Sequence, residues 1–359
     1  MIKLCLIAPV PPPYGGIGNW VLLIKRFIES RNDITVHVVN TAPVQRSIDG
    51  RSIWERIVVQ GMQIFKIRRE LVETTAKNKP DIIHITTSGQ LAVLRDIILL
   101  RTAKKKSIMT VYHIHFGRIR EIAEKNTIEW KLICKAMSVA SKVMVIDKSS
   151  LEAINKSIPI VKTIYVPNPI DINTIPKPIN NDQKTVMFLG WIVKSKGIEE
   201  LLTAWENVSI IHSDWTLKLV GPCNNSYFEY LKSNFTLNNV IFESEKHHDE
   251  AMRILSESGI LVLPSYTEGF PNVILEAMAL KIPIVATNVG AIPDMLSNEC
   301  GILIKTRDTS EIEKALEELI SNSDKRNNLR NNAYKKLISE YTIEKVFSSY
   351  MQAWGILRY

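Results

Sequence analysis

Short apolar runs alternate with amphipathic, helix-length segments along this chain, and the alternation occurs once in each half of the sequence. Continuous apolar strands separated by helices are typical of a parallel β-sheet that is covered by helices on both faces. Because the pattern occurs twice, the sequence predicts an α/β chain with two doubly wound parallel sheets. The length of 359 residues agrees, since it exceeds one ordinary domain of about 150 residues.

The apolar runs predict six strands in each half. They are Lys3–Ala8, Thr35–Val39, Asp81–Ile85, Ser107–Tyr112, Lys142–Ile146 and Thr163–Val166, then Thr185–Leu189, Thr216–Val220, Val240–Phe242, Gly259–Leu263, Ile284–Ala286 and Gly301–Ile304. Ligands are expected outside the carboxyl ends of such strands, so two facing domains would form a cleft.

The stretch NPIDINTIPKPINN separates the two halves, because prolines and asparagines replace the periodic apolar residues there. We place a linker near residues 170–182. The predicted domains are residues 1–172 and residues 173–341. Residues 342–359 follow as an amphipathic helix, whose apolar stripe includes Tyr350 and Trp354 and needs a surface to cover.

The bulk composition favours a cytoplasmic protein without a membrane span. No apolar run reaches the roughly 18 residues that cross a bilayer, and the opening MIKLCLIAPVPPP reaches its prolines too early for a secretory signal. The four cysteines, Cys5, Cys134, Cys223 and Cys300, form no C-x-x-C pair and have no nearby histidine in the sequence. We expect them to be core-filling thiols rather than disulfide or zinc ligands.

Basic residues are concentrated in the first half of the chain. Residues 1–175 contain 26 Lys and Arg against 14 Asp and Glu, a net charge of +12, whereas the remainder has 19 against 23, a net charge of −4. The basic clusters are Arg56 with Lys66, Arg68 and Arg69, the segment Arg95 to Lys106, and Arg118 with Arg120. Such a face attracts anionic lipid head groups, a diphosphate-bearing acceptor or nucleic acid. The alternative is a solvated face in which Lys104–Lys106 complement a helix C-terminus.

The stretch PSYTEGFPNVILEAMA follows a predicted strand of the second half and carries two glutamates eight positions apart. Pro271 favours the first helical position, so the free N–H groups are those of Asn272 and Val273, which predict a diphosphate site. Glu276 lies on the same helix face as Asn272, about 6 Å along the axis. That offset suits a ribose, whose hydroxyls a carboxylate accepts well.

Two further residues of this stretch bear on the same ligand. Gly269 leaves the loop open, and Glu268 lies on the other side of the predicted phosphates, where a sugar would offer its hydroxyls. The alternative makes Glu268 an exposed turn residue and Glu276 an ordinary helix glutamate. Against this, Glu276 stands among apolar neighbours and needs a partner.

Glycine and lysine clusters begin both halves. In PPPYGGIGNW, Gly15 and Gly16 let the backbone approach a ligand before a helix starts, although the same turn is often purely structural. In FLGWIVKSKG, Gly190 ends a strand, and Lys194 and Lys196 precede a helix, where an ammonium suits a phosphate.

Histidines end two strands of the first half. His113 and His115 in MTVYHIHFG point to the same side of an extended segment and can enter the cleft. No third ligand is arranged nearby, so we expect no metal. His84 lines the same cleft or caps the sheet.

These motifs together resemble the retaining glycosyltransferases of family 4, which have the GT-B fold of two Rossmann-like domains facing a cleft. The most specific match is the element from Glu268 to Glu276, followed by PIVATNVGAIPDML; PPPYGG, PDIIH, HIHFG, VPNPID and FLG…KSKG follow in the family's order. The resemblance implies that the last helix crosses back to the first domain.

The resemblance also implies roles for individual residues. Glu276 would bind the ribose and Glu268 the donor sugar, while the backbone of Gly269, Phe270, Pro271, Asn272 and Val273 would hold the diphosphate. Lys196 would stabilise the departing diphosphate, and Gly15 with Gly16 would lie near the donor phosphates and the acceptor. The strand-end histidine of the family falls on His115 or, in another register, on His113.

One position departs from the family pattern. Members commonly carry an arginine after the glycine that matches Gly190, and this chain has Trp191. Lys196, Lys194 or another cation must then carry more of the phosphate charge.

The resemblance implies transfer of a sugar, with retention, from a nucleotide diphosphate sugar, expected to be UDP-linked, to an acceptor hydroxyl. No D-x-D motif occurs, and we expect neither a metal nor another cofactor. A saccharide on a polyprenyl diphosphate is the expected acceptor, in capsule, exopolysaccharide or O-antigen synthesis. The basic domain would attach to the anionic inner face of the cell membrane rather than to nucleic acid.

Two other functions stay open at this point. A sugar-nucleotide epimerase of the same fold would bind a similar donor, and a non-catalytic polysaccharide- or membrane-associated protein would keep the nucleotide site without turnover. The donor sugar, base, acceptor and linkage are not readable from the sequence.

Overall fold

The computed structural model describes residues 1–12, 15–42, 53–179 and 183–356, with residues 53–60 as helical backbone only. The strands are β1 Ile2–Ala8, β2 Ile34–Asn40, β3 Ile82–Thr87, β4 Met109–Ile114, β5 Lys142–Val145, β6 Thr163–Tyr165, β7 Thr185–Leu189, β8 Thr216–Val220, β9 Val240–Glu243, β10 Ile260–Leu263, β11 Ile284–Thr287 and β12 Ile302–Ile304. Each predicted strand is confirmed, with ends that differ by one or two residues.

The helices lie between these strands and after them. They are α1 Gly16–Glu29, α2 Ile53–Asn78, α3 Ala92–Lys105, α4 Ile119–Glu124, α5 Ile128–Met137, α6 Lys148–Ser157, α7 Ile198–Ile211, α8 Asn225–Asn234, α9 His248–Ser256, α10 Asn272–Ala279, α11 Ile292–Met295, α12 Thr309–Ser321, α13 Ser323–Glu340 and α14 Ile343–Ala353.

The chain forms two compact units. The first comprises Met1–Pro169 with Val346–Tyr359, and the second comprises Ile170–Lys345. Each unit contains a six-stranded sheet, with strand order β2-β1-β3-β4-β5-β6 in the first and β12-β11-β10-β7-β8-β9 in the second. All strand pairs are parallel. The two doubly wound parallel sheets expected from the sequence are therefore confirmed.

The central strands of the first sheet are buried on both faces, whereas the edge strands β2 and β6 are partly exposed. All six residues of β3 are buried, and so are five of the six residues of β4. Helices α2, α3 and α5 contribute apolar side chains to one core cluster with these strands. Burial of a whole strand requires apolar residues on both of its faces, because helices cover both.

Helix α14 packs on the first unit and covers its apolar stripe there. The Tyr350 hydroxyl accepts a hydrogen bond from Nε1 of Trp20 at 2.7 Å. Phe347 lies against Phe27, with ring centroids 4.8 Å apart. Tyr350 and Trp354 are 0% and 2% exposed. The expectation that the last helix returns to the first domain is thereby confirmed.

The second sheet changes its direction of strand succession between β7 and β10. Successive strands run outward on one side from β7 to β9 and on the other side from β10 to β12. At such a switch point the loops leaving the two central strands diverge and open a crevice at their carboxyl ends. The loops after β7 and β10 contain the candidate segments FLGWIVKSKG and PSYTEGFPNVILEAMA.

The start of the predicted linker is tied to the second unit. Ile170 forms an isolated parallel bridge with Thr342, its N–H donates to the carbonyl of Tyr341 at 2.9 Å, and its carbonyl accepts from the N–H of Ile343 at 2.9 Å. Residues 180–182 of the linker lie outside the described part of the chain, as do Pro13 and Tyr14 and the side chain of Arg56.

The cysteines and the helix lengths bear on two further expectations. All four cysteines are free thiols; Cys5 and Cys300 are buried, and Cys134 and Cys223 are partly buried. Burial raises the pKa of the Cys5 thiol to about 12, so it stays protonated at neutral pH. Within the described ranges, none of the helices combines the length and the apolar character that a bilayer crossing requires.

Tyr350→Phe tests how strongly α14 is held. Removing the hydroxyl leaves the buried Nε1–H of Trp20 without its acceptor, which should lower the free energy of unfolding by about 1–3 kcal/mol. Urea unfolding followed by tryptophan fluorescence measures this. Tyr230→Phe, at a side chain that is 43% exposed, is the matched control and should change the value by less than about 0.5 kcal/mol. Equal effects of the two variants would contradict the assignment.

Candidate functional site

The loops after β7 and β10 are joined by backbone contact and by an ion pair. The N–H of Tyr266 donates to the carbonyl of Ser195 at 2.9 Å. Nζ of Lys196 lies 2.5 Å from Oε1 of Glu268, and the two side chains are 26% and 12% exposed. Two candidate residues that are 72 positions apart in the sequence therefore form one charged pair in the crevice.

Gly197 makes this approach sterically possible. Its φ is +69°, and a Cβ at this position would lie 2.1 Å from the carbonyl oxygen of Pro264. Gly290 likewise permits close approach of the backbone to the β10 loop. Its φ is +56°, and a Cβ at this position would lie 2.3 Å from the carbonyl oxygen of Glu268. Only glycine combines a positive φ with such close backbone approach. The sequence analysis missed Gly290, although the glycine in VATNVGAIP marks it.

Helix α10 begins at Asn272 and not at Pro271. Pro271 has φ −72° and ψ 114°, so it is an extended N-cap, which corrects the prediction that it is the first helical residue. The N–H groups of Asn272 and Val273 lie in the first turn, where the helix offers them no carbonyl acceptor, so they can bind an anion. Oδ1 of Asn272 is buried and finds no hydrogen-bond partner among the described residues.

Glu276 lies one turn further along α10 and has a partner that the sequence analysis missed. Nε2 of His248 lies 3.1 Å from Oε1 of Glu276, whose side chain is 12% exposed. The hydrogen bond to Glu276 raises the pKa of His248, although partial burial opposes the shift. The sequence expectation that this carboxylate needs a partner is correct, and without a ligand His248 fills that place.

Phe270 and Gly269 shape the loop between the two glutamates. Phe270 is 6% exposed and packs edge-on against Tyr341, with centroids 5.8 Å apart, so its side chain anchors the loop. The carbonyl of Gly269 accepts from the N–H of Ala291 at 2.9 Å. Any contribution of these two residues to a ligand therefore comes from their remaining backbone groups.

Gly190 and Lys194 occupy the rim after β7. Gly190 has φ +154°, and the backbone of Gly221 lies directly against its carbonyl. Nζ of Lys194 is paired with Glu199 at 3.1 Å and the side chain is 68% exposed. Trp191 is 39% exposed at the position where the family commonly carries an arginine. Lys196 is thus the more enclosed of the two candidate lysines.

The glycine-rich turn of the first unit stands at the start of α1. Gly15 is the extended N-cap, and Gly16 is the first helical residue with open space where a Cβ would be. Gly18 is different, because a Cβ there would lie 2.9 Å from the ring of Pro11. Gly18 is therefore required for packing, whereas Gly15 and Gly16 leave the helix N-terminus accessible.

Three histidines of the first unit form a connected cluster. Nε2 of His84 lies 3.2 Å from Nδ1 of His113, and Nε2 of His115 lies 2.9 Å from the same nitrogen. Nε1 of Trp354 donates to Nδ1 of His84 at 2.9 Å. His84 and His113 are fully buried, whereas His115 is partly exposed. Of the two predicted histidines, only His115 presents a surface, so a direct contact of His113 with a ligand stays a prediction that its burial disfavours.

The hydrogen bonds determine the tautomers of this cluster. Because Nδ1 of His84 accepts from Trp354, the proton of neutral His84 is on Nε2 and is donated to Nδ1 of His113. That nitrogen has one lone pair, and Nε2 of His115 also lies 2.9 Å from it, so His115 avoids lone-pair repulsion by donating from its own Nε2 and sharing this acceptor with His84. The lone pair of His115 is left on Nδ1. Trp354, the residue after α14, thus determines through His84 and His113 which nitrogen of His115 remains an acceptor.

Burial keeps the three imidazoles neutral. It lowers the pKa of His84 and of His115 to about 3, and that of His113 well below its usual value. Nε2 of His113 has no hydrogen-bond partner in the part of the chain that the structure describes. No group of three or more His, Cys, Asp or Glu residues in the described ranges is arranged to hold a metal ion.

Acid should destabilise the protein through this cluster. Between pH 6.5 and about 3 the unfolded imidazoles take up protons that the folded ones do not, so the free energy of unfolding falls as the pH drops below 6.5. His115→Gln should make the slope shallower by as much as about 1.4 kcal/mol per pH unit. Urea unfolding between pH 7 and pH 5 measures the pH dependence of the free energy of unfolding for the wild type and the variant. Equal slopes would show that His115 does not contribute to the acid sensitivity.

The His248–Glu276 pair should act in the opposite sense. A raised pKa means that its stabilisation is fully present below pH 6.5 and is lost as the pH rises through the folded value. His248→Gln should therefore lower the midpoint of thermal unfolding more at pH 6 than at pH 9. The Glu276→Gln background is the control, because the pH-dependent difference should vanish there. If His248→Gln still had a pH-dependent effect in the Glu276→Gln background, the raised pKa of His248 would come from another partner.

The comparisons with known proteins place the second unit in similarity to glycosyl transferases. Residues 170–336 match the family model for glycosyl transferases group 1. The capsular polysaccharide biosynthesis glycosyltransferase CapM of Staphylococcus aureus is 28% identical over 176 residues, which cover 46% of this chain and 44% of CapM. The match thus spans less than half of that relative's length.

Solved structures resemble nearly the whole chain. Sucrose-phosphate synthase from Thermosynechococcus elongatus has a TM-score of 0.79 at 17% identity, covering 99% of this chain and 98% of its own. Anabaena HepE, solved in complex with UDP, has a TM-score of 0.73 at 17% identity, covering 99% and 100%. At these identities the likeness shows a shared fold.

Proposed function

We propose that this chain, which belongs to the glycosyl transferases of group 1 and has the GT-B fold, transfers a sugar from a UDP-sugar to an acceptor hydroxyl with retention. The observation that carries the proposal is the Lys196–Glu268 pair, which lies in the loops that open beside the free N-terminus of α10. This arrangement combines a cation and backbone donors for a diphosphate with a carboxylate for a sugar. The complex of HepE with UDP supports UDP as the nucleotide.

The second unit would bind the nucleotide along α10. The diphosphate would accept from the N–H groups of Asn272 and Val273, where the positive end of the helix dipole favours an anion. Glu276, about 6 Å further along the axis, would accept from the ribose hydroxyls in place of His248. The unpartnered Oδ1 of Asn272 would gain a donor from the same ligand. One helix thus supplies partners for both polar parts of the nucleotide.

Lys196 would stabilise the charge that develops on the diphosphate. The bond between the anomeric carbon and the phosphate oxygen breaks, and the acceptor oxygen bonds to that carbon from the same face. The acceptor proton passes to the departing phosphate oxygen. We propose that no divalent metal is required, because Lys196 and the helix N-terminus supply the positive charge. Glu268 would hold hydroxyls of the sugar.

The first unit contributes a separate set of groups. We propose that Nδ1 of His115 accepts a hydrogen bond from a sugar hydroxyl, since its Nε2 proton is engaged by His113. The open backbone at Gly15 and Gly16 would bind the donor phosphates or the acceptor. The similarity to CapM favours a polysaccharide precursor as acceptor, and we propose a saccharide linked to a polyprenyl diphosphate.

Three variants should separate the roles in the second unit. Glu276→Ala should abolish stabilisation by UDP, because the ribose loses its acceptor. Lys196→Ala should lose both UDP stabilisation and transfer. Glu268→Gln should keep UDP stabilisation, because Lys196 is then released to the diphosphate, and should lower transfer by at least about a hundredfold. Thermal shifts with UDP and turnover from a panel of UDP-sugars measure these effects.

The matched controls are Lys325→Ala and Glu257→Gln, which break exposed ion pairs elsewhere. Both should behave as the wild type. Near-normal transfer by Lys196→Ala would refute the assigned role of that lysine. An altered free UDP-sugar without an acceptor product would establish an epimerase instead, and binding without any turnover would establish a non-catalytic protein.

A further inference from the structure

We infer that the first unit docks on an anionic membrane through one surface, the α2–α3 face. It consists of outward side chains of two neighbouring helices, namely Phe65, Arg68 and Val72 of α2 and Leu94, Ile98, Arg101, Lys105 and Lys106 at α3. The inference goes beyond the proposed transfer reaction and does not depend on the identity of the donor.

A groove between the two helices concentrates cations beside apolar side chains. Its lining consists of Arg68, Val72, Ile98, Arg101, Thr102, Lys105 and Lys106. Among the residues that the structure describes, the lining includes no carboxylate. None of its four cations has a salt bridge to another described residue, whereas the neighbouring Arg69 is paired with Glu73 at 2.8 Å. The groove is therefore suited to an anionic group that comes from outside the chain.

Complementing the C-terminus of α3 does not account for this charge. Lys105 ends α3 and Lys106 caps it, so these two stand where a helix dipole favours cations. Arg101 lies a full turn before the last residue, and Arg68 lies in the middle of a different helix. Arg68 and Arg101 line the groove from two different helices. The dipole of α3 does not explain a cation on α2.

The apolar part of the face follows helical spacing. On α3 and its cap, Leu91, Leu94 and Ile98 are 50%, 43% and 38% exposed, at intervals of three and four residues. On α2, Phe65 is 72% and Val72 37% exposed, seven residues apart. These intervals place the side chains of each helix on one side. An exposed apolar stripe continuous with cations indicates a contact surface.

A membrane interface fits both chemical components. Apolar side chains can enter the boundary between head groups and acyl chains, while arginine and lysine side chains contact anionic head groups. Nucleic acid would use the cations but would leave Phe65, Leu94 and Ile98 in contact with water or phosphate. A bilayer containing phosphatidylglycerol is therefore the occupant to which the charge and the apolar area are jointly complementary.

Vesicle sedimentation of the full chain tests the inference. Wild-type protein should bind vesicles of phosphatidylglycerol and phosphatidylcholine at low salt, and not vesicles of phosphatidylcholine alone. The variant R68E/R101E/K105E should lose binding at least about tenfold. The control K131E/K135E/K156E makes the same change in net charge at exposed lysines of α5 and α6, and should stay within about twofold of the wild type.

A second variant tests the apolar component. L94S/I98S keeps every cation, so it should bind at low salt and lose the part of wild-type binding that survives at high salt, because only charge attraction is screened. UDP-induced thermal shifts should be unchanged in all three variants, which shows that they are folded. Such shifts also separate this inference from the proposed transfer reaction, which vesicle binding does not measure.

Several results would overturn the inference. Absence of wild-type binding to anionic vesicles would do so, and so would equal losses in the groove variant and the control, which would reveal a non-specific charge effect. Duplex DNA is included as a competing ligand. Binding to DNA that depends on Arg68, Arg101 and Lys105, without binding to vesicles, would assign the face to nucleic acid instead.

Discussion

The approach of the β7 loop to the β10 loop is the constraint on which the candidate nucleotide site depends. The two strands are separated by 70 residues of chain, yet they are neighbours in the sheet because the strand succession changes direction between them. Gly197 lets the backbones meet, and the contact brings the Lys196 ammonium against the Glu268 carboxylate. A side chain at position 197 would separate the loops, and it would move the Lys196 ammonium away from the helix N-terminus for which anion binding is proposed.

Much of the fold could be predicted because buried parallel strands have a simple signature. A strand covered by helices on both faces is mostly apolar on both of them, as in β10 with its sequence ILVL, and such runs stand out against amphipathic helices. The return of α14 was predictable for a related reason, since the Tyr350 and Trp354 stripe had to be covered. Glu268 and Glu276 were identifiable by their spacing around the Pro271 turn.

The surroundings of those residues could not be predicted, since they come from distant parts of the chain. HIHFG shows two histidines on the same side of a strand, but Trp354, 270 positions after His84, donates to His84 and thereby fixes which nitrogen of His113 accepts a hydrogen bond. His248 reaches Glu276 from the preceding helix, across 28 positions. Pro271 illustrates a smaller limit: proline suits both an N-cap and a first helical residue, and only ψ distinguishes the two.

Both carboxylates of the candidate site are already engaged by side chains, and this shapes how a ligand can enter. Glu268 holds Lys196, and Glu276 holds His248. A partly buried charge without a partner is costly, so each pair avoids that cost for its two side chains. A nucleotide sugar offers a diphosphate for Lys196 and hydroxyls for both carboxylates, so it can supply new partners to all three of these side chains together. A ligand with only one of these components would separate a pair and leave a charge unmatched. If the chain binds such a donor as proposed, the two pairs are expected to favour the complete molecule over its fragments.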